Sequence, residues 1–301
     1  MSDPIRIGTR DSELATWQAK TVAKKLEKAG YKTEVIFIKS EGDLDLTTPL
    51  TEMGGKGVFT KALDDALLGH QIDVAVHSYK DLPTENPLPL VVSAVLERED
   101  PRDSLVAPLG TDFLDDDSVA AVIATSSNRR KAQWLHHYPN HEITNIRGNV
   151  NTRLRKVKEN GWNGAIFAAA GLKRIQLHHH ISSYLDWMIP APAQGAMAVM
   201  VRESDEKMRA ITSELNHTET QFATSVERDL LNEMEAGCSA PVGAYATIQN
   251  NEVTLRAVAL KIDGSLQYDI ELQKPLSDAK ELGRHAARQL LKQGADKLLI
   301  D

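Results

Sequence analysis

The sequence predicts an α/β protein built from two successive α/β units and a smaller α+β unit at the C-terminal end. Three observations carry this. Short apolar runs alternate with amphipathic stretches as far as about residue 200. A polar segment, Glu97-Arg-Glu-Asp-Pro-Arg-Asp103, interrupts that rhythm once. Past residue 217 a helix gives way to alternating runs separated by turn residues. The length of 301 residues exceeds one ordinary domain, and 42% hydrophobic with 26% charged residues suits a chain that buries a core.

The elements follow in order. Ile5-Arg-Ile-Gly8 reads as a strand and Ser12 to Ala29 as an amphipathic helix. Glu34-Val-Ile-Phe-Ile38 is the second strand, followed by a glycine-rich loop at Gly54-Gly-Lys-Gly57 and a helix from about Val58 to Leu68. Asp73-Val-Ala-Val-His77 and Leu90-Val-Val-Ser-Ala-Val95 are short, apolar and bounded by turns, the pattern of buried strands. Beyond the polar break come Ala120-Ala-Val-Ile-Ala124, a helix from about Asn128 to His137, a strand at Ile143-Thr-Asn-Ile146, a helix after Gly148, and Gly164-Ala-Ile-Phe-Ala-Ala-Ala170. Strands alternating with helices imply mostly parallel, covered sheets. Pro190-Ala-Pro-Ala-Gln-Gly-Ala196 is a hinge candidate, after which Met197-Ala-Val-Met-Val201 rejoins the first unit. The last unit holds a helix to about Glu235, runs at Val253 to Leu260 and Gln267 to Leu272 with a hairpin signal at Asp263-Gly264, and a helix from Ser277 to Lys292, with Ser277 as its N-cap.

The net charge of -7 gives no electrostatic reason to expect nucleic acid or an anionic membrane as partner. No window reaches the ~18 apolar residues of a membrane span, and no signal-peptide stretch opens the chain, so a cytoplasmic location is expected. One cysteine, Cys238, excludes an intrachain disulfide.

Arginines carry the chemistry. Arg10, Arg129, Arg130, Arg147 and Arg153 fall just after apolar strand candidates, where open α/β sheets bind their ligands. A single such arginine is ordinarily a solvated helix-end charge; five in an acidic chain point to an anionic ligand. Thr125-Ser-Ser-Asn-Arg-Arg130 sets hydroxyls beside two guanidinium groups that match carboxylates, and Arg147-Gly-Asn-Val-Asn-Thr-Arg153 repeats the device. His77-Ser-Tyr-Lys-Asp81 places a lysine beside an aspartate that, flanked by cations, would stay ionised. The Gly54 to Gly57 loop lacks P-loop spacing, which ranks a phosphate-handling transferase low. His178-His-His180 lacks metal-ligand spacing, and no metal is expected. Cys238 sits in a turn-rich stretch that favours accessibility, as nucleophile or covalent anchor, over burial as a small hydrophobe.

Taken in order, Gly8-Thr-Arg-Asp-Ser12, Gly54-Gly-Lys-Gly57, Val76-His-Ser-Tyr-Lys-Asp81, Arg98-Glu-Asp-Pro-Arg-Asp103, Thr125 to Arg130, Arg147 to Arg153, Ala170-Gly-Leu-Lys-Arg174, Pro192-Ala-Gln-Gly-Ala196 and Gly237-Cys238 resemble the porphobilinogen deaminase family. The resemblance implies two periplasmic-binding-protein-like α/β domains with a cleft between them, plus a small C-terminal α+β domain carrying the cysteine loop. The expected bounds are 1–97 with 193–216, 98–192, and 217–301. It implies stepwise condensation of four porphobilinogen molecules, with loss of ammonia, into linear hydroxymethylbilane on a dipyrromethane cofactor held by a thioether to Cys238. By resemblance, Asp81 is the catalytic acid/base. Lys80, Ser78, Thr125, Ser126, Ser127, Arg129, Arg130, Arg147 and Gly148 hold the cofactor, while Arg10, Arg147, Arg153, Arg174 and Gln194 bind substrate. Partners are porphobilinogen and the growing oligopyrrole, and a monomer is expected. Ala236 departs from a commoner glycine, which puts the geometry of the cysteine loop at issue. The rival is a noncatalytic small-anion-binding protein of the two-lobed solute-binding type, which would need no covalent primer.

Overall fold

The computed structural model describes residues 3–39, 60–84, 89–237 and 240–298. In chain order the strands are β1 (Ile5–Thr9), β2 (Thr33–Phe37), β3 (Val74–Ser78), β4 (Leu90–Val95), β5 (Asp103–Val106), β6 (Val122–Ala124), β7 (Glu142–Thr144), β8 (Gly164–Ala168), β9 (Ser183–Tyr184), β10 (Met197–Arg202), β11 (Val242–Gln249), β12 (Glu252–Leu260) and β13 (Gln267–Pro275). The helices are α1 (Glu13–Lys28), α2 (Lys61–Leu68), α3 (Asn128–His137), α4 (Val150–Glu159), α5 (Ala169–Arg174), α6 (Glu206–Ser213), α7 (Thr218–Glu233) and α8 (Leu282–Gln293). The chain divides into two compact units, one of residues 1–99 with 196–221 and one of 100–195 with 222–301.

The first unit holds a five-stranded sheet in the order β2-β1-β3-β10-β4. β1 runs parallel to β2 and β3, while β10 runs antiparallel to β3 and β4. Alternate residues of β10 feed both faces. Met197, Val199 and Val201 pack with Val22 and Leu26 of α1 and Ile211 of α6, whereas Ala198 and Met200 pack with Leu63 and Leu67 of α2. A strand covered on both faces reads as a continuous apolar run, which is why Met197 to Val201 is legible in the sequence.

The second unit repeats the same strand pattern from different segments: β7-β6-β8-β5-β9, with β6 parallel to β7 and β8 and β5 antiparallel to β8 and β9. Trp134 of α3 packs on one face with Leu105, Ile123 and Ile166; Val157 of α4 and Leu172 of α5 cover the other with Val106, Ala124 and Phe167. The sheets are therefore mixed, each with two parallel and two antiparallel pairings, where alternation of strands and helices implies mostly parallel ones. The strands that run against their neighbours are β5, which opens the 103–195 stretch, and β10, which follows it.

The same unit contains a three-stranded antiparallel sheet, β11-β12-β13, whose inner face packs on α7 and α8. A Cβ on Gly283 would collide with the carbonyl oxygen of Val226, so this crossing of α8 over α7 requires glycine. α8 starts at Leu282, not at Ser277. Ser277 spends its hydroxyl on Asp278 Oδ1 at 2.9 Å, in a 3-10 turn over Leu276–Asp278, and so does not cap the helix. At the far end Gly294 adopts the left-handed conformation, φ +104°, as C-cap. β5, β9 and β11 are strands beyond those expected from the sequence.

Candidate active site

In the first unit the expected residues gather at the carboxyl ends of the parallel strands β1 and β3. Arg10 follows β1. Ser78 ends β3, where its Oγ accepts from Gln18 Nε2 at 2.8 Å. A 3-10 turn, Tyr79–Asp81, then carries Lys80 and leaves Asp81 exposed; Tyr79 N donates to Ala196 O at 3.0 Å and ties this turn to the start of β10. His77 is buried, its Nε2 meets no hydrogen-bond partner, and burial with the charge of Arg10 pulls its pKa down to about 3. With its pKa held that low, the imidazole stays neutral at ordinary pH, one residue before Ser78 in β3.

In the second unit the loops after β6, β7 and β8 carry the rest. Thr125 Oγ1 accepts from Ser127 N at 3.2 Å, and Ser126 Oγ both donates to Ile146 O at 2.7 Å and accepts from Ile146 N at 3.0 Å. This joins the loop after β6 to the residue before Arg147. Ser127 caps α3 by accepting from Arg130 N. Gly148 has φ +115°, and a Cβ there would lie 2.7 Å from Thr152 Cγ2, so the turn admits only glycine without strain. Its carbonyl accepts from Arg153 Nε at 2.7 Å, and Lys156 Nζ donates to Arg147 O at 3.2 Å. Arg147 and Arg153 are thereby set at the start of α4.

The densest polar cluster forms around a residue to which the sequence reading assigned no role, Asp103. Its side chain is fully buried. Arg129 Nη1 donates to Oδ2 at 2.7 Å, Arg130 Nε donates to Oδ1 at 2.9 Å, and Gln194 Nε2 donates to Oδ1 at 3.0 Å. The guanidiniums also reach main-chain oxygens: Arg129 Nη1 donates to Ile189 O at 2.8 Å and Arg130 Nη1 to Ile166 O at 2.9 Å. Gln194 Nε2 donates to Pro101 O at 2.7 Å, and Arg174 Nη2 donates to Gly195 O at 2.6 Å. Arg129, Arg130, Arg174 and Gln194 are therefore buried side chains that converge on β5 and the 189–195 segment. Burial pulls Arg129 below the ordinary guanidinium range against the attraction of Asp103, with Arg130 adding to the depression. An arginine nonetheless stays charged.

Among the described residues, Arg129 and Arg130 share this one carboxylate, leaving one positive charge in excess. Arg129 Nε meets no hydrogen-bond partner among the described residues. Arg130 Nη2, although 2.7 Å from Asp103 Oδ1, is not aligned to make a hydrogen bond. Buried donors of this kind in a cationic setting suit a carboxylate-bearing group, and so fit the carboxylates of a dipyrromethane cofactor. Cys238 and the Gly54 to Gly57 loop lie outside the described residues. Just before the cysteine, the left-handed backbone falls on Glu235, φ +51°, and not on Ala236. Among the described residues no cluster of His, Cys, Asp or Glu suits a metal ion, and no helix is long and apolar enough to cross a membrane.

Residues 5–210 match the family profile described as porphobilinogen deaminase, dipyromethane cofactor binding domain, and residues 221–292 match porphobilinogen deaminase, C-terminal domain. The chain belongs to the porphobilinogen deaminase family. Curated porphobilinogen deaminases agree over nearly full length. That of Syntrophotalea carbinolica is 40% identical, covering 99% of this chain and 96% of its own. That of Syntrophomonas wolfei is 42% identical, covering 99% and 98%, and that of Pelobacter propionicus 41%, covering 98% and 96%. Among solved structures, a periplasmic substrate-binding protein from Coxiella burnetii aligns at 13% identity and a TM-score of 0.44, over 74% of this chain and 96% of its own.

Proposed function

We propose that the protein is a hydroxymethylbilane synthase, a transferase that condenses four porphobilinogen molecules head to tail with release of four ammonia molecules. The single observation that carries this beyond family membership is the buried cationic cluster of Arg129, Arg130 and Asp103, which keeps one charge in excess and donors to spare. Every pyrrole of this chemistry brings carboxylates, so the site must neutralise negative charge repeatedly.

The residues take the following roles. Cys238 anchors the dipyrromethane, which when bound supplies the nucleophilic pyrrole carbon from which the product is built. Arg129, Arg130 and Arg147 hold its carboxylates, and Ser78, Lys80, Thr125, Ser126, Ser127 and Gly148 complete its binding. Arg10, Arg153 and Arg174 bind carboxylates of incoming substrate, while Gln194 positions its neighbours from within the Asp103 cluster. Asp81, exposed on a turn held to Ala196, stabilises positive charge on the reacting pyrrole nitrogen and moves its proton. His77, uncharged in β3, adds no competing positive charge.

The three domains of the expectation, bounded near 97, 192 and 217, are proposed as the functional divisions. The protein is proposed to act in the cytoplasm, supported by a lone cysteine that suits a reducing compartment, and as a monomer, as the resemblance implies; its net charge of -7 is unsuited to nucleic acid. A noncatalytic anion-binding role is not favoured, because the family match extends through the C-terminal domain. Incubation with porphobilinogen tests the reading. One ammonia should appear per porphobilinogen consumed, with a linear tetrapyrrole as product; saturable binding without ammonia release overturns it.

A further inference from the structure

We propose that Asp103 is a positioning residue for this reaction: it is the fixed counter-charge that locks Arg129 and Arg130 into one rigid unit carrying a single net positive charge. The inference rests on the reading that these arginines meet pyrrole carboxylates.

Geometry carries the argument. Asp103 opens β5 and is pinned through the backbone, where it pairs with Ala168 of β8. Each carboxylate oxygen serves a different arginine, Oδ2 for Arg129 and Oδ1 for Arg130. The carbonyls of Ile189 and Ile166 complete the cage, so neither guanidinium can swing without breaking a charged hydrogen bond and a main-chain one. The helix supplies the second constraint: the two arginines are adjacent in the first turn of α3, and Ser127 caps that turn. Such an array holds its positive charge in a fixed place and orientation, and preorganised charge of this kind is where electrostatic catalysis and tight anion binding gain their strength.

The charge count matters as much as the orientation. Without Asp103, two buried like charges would repel each other and recruit any small anion. With two carboxylates, the cluster would be neutral and would not favour a pyrrole acid. One carboxylate leaves one charge for the ligand.

The test compares D103N, R130Q and the double variant, each purified with its cofactor. Intact mass reports the fraction carrying the dipyrromethane adduct, and kcat/KM is expressed per adduct-bearing molecule. Each single substitution is expected to lower kcat/KM by about tenfold or more, since each strands a buried partner. Because Asp103 acts through the arginines, the double variant is expected within about threefold of the worse single one. D103N should also be inhibited by inorganic phosphate at least about fivefold more tightly than the wild type, an effect of its second uncompensated charge that a purely structural role would not produce. Losses that multiply in the double variant, or an unchanged phosphate inhibition in D103N, overturn the proposal. Should D103N not fold, D103E carries the test: it keeps the charge but displaces it by one methylene, and wild-type kcat/KM in that variant overturns the proposal. A wild-type protein with neither adduct nor porphobilinogen turnover instead refutes the functional reading on which the inference rests.

Discussion

Glu227 holds Ala193 by its backbone: Oε2 accepts the Ala193 amide at 2.6 Å, inside the protein. The other carboxylate oxygen accepts from Ala246 N of β11 at 2.8 Å, so one side chain of α7 ties the 189–195 segment to the C-terminal sheet. Ala193 itself has φ +62°, a conformation an alanine keeps only when neighbours impose it. Glu227→Ala leaves two buried amides without acceptors, and a loss of about 3 kcal/mol or more is expected in urea unfolding. A change within about 0.5 kcal/mol, the range of an ordinary surface substitution, would show that the clamp is not needed.

His77 predicts a pH dependence. Its folded pKa, about 3, lies below the ordinary 6.5, so between these values the unfolded chain binds the extra proton. Stability from the neutral imidazole is therefore complete above about pH 6.5 and declines as pH falls toward 3. His137 and His141, also held low by burial, add to the same slope. His77→Leu should flatten the stability profile below pH 6.5 by up to about 1.4 kcal/mol per pH unit, read from urea midpoints. Parallel profiles for the two proteins would contradict the assignment.

Gly148→Ala tests the turn that sets Arg147 and Arg153. Alanine meets both a φ of +115° and Thr152 Cγ2 at 2.7 Å. A stability loss of about 1 to 3 kcal/mol is expected, with a raised KM for porphobilinogen, because the carboxylate-binding arginines move with the turn. Unchanged KM in a destabilised protein would confine the glycine to folding.

Much of the fold is legible in the sequence because buried strands are short apolar runs and α3 is bounded by a serine cap; its expected limits, Asn128 to His137, are those observed. β11 is hidden because Gly243 and the alanines at 244 and 246 weaken its strand signal. Gly243 is there because a Cβ would press on Ile189 O at 2.7 Å, a tertiary reason no local pattern expresses. The site divides in the same way. Arginines at strand ends can be found from position alone, but the direction of their side chains cannot. Asp103 pairs with residues 26 and 27 positions away, so no periodicity links them. Its one local signal is an acid opening an apolar run at Asp103-Ser-Leu-Val106, where a buried charge demands a partner.

Asp81→Asn should fold normally and keep its cofactor, since the side chain is exposed, while elongation falls by about a hundredfold or more through loss of acid/base action. Ammonia release and adduct mass measured on one preparation separate these effects. Loss of adduct with activity retained per adduct-bearing molecule would make Asp81 a cofactor-binding group instead.

The central claim is a pyrrole primer on Cys238, and the intact mass of the purified protein beside that of Cys238→Ser tests it most directly. The account predicts a mass excess equal to a dipyrromethane in the wild type that vanishes in the variant. A wild-type mass equal to that of the bare chain, unchanged after incubation with porphobilinogen, would contradict it.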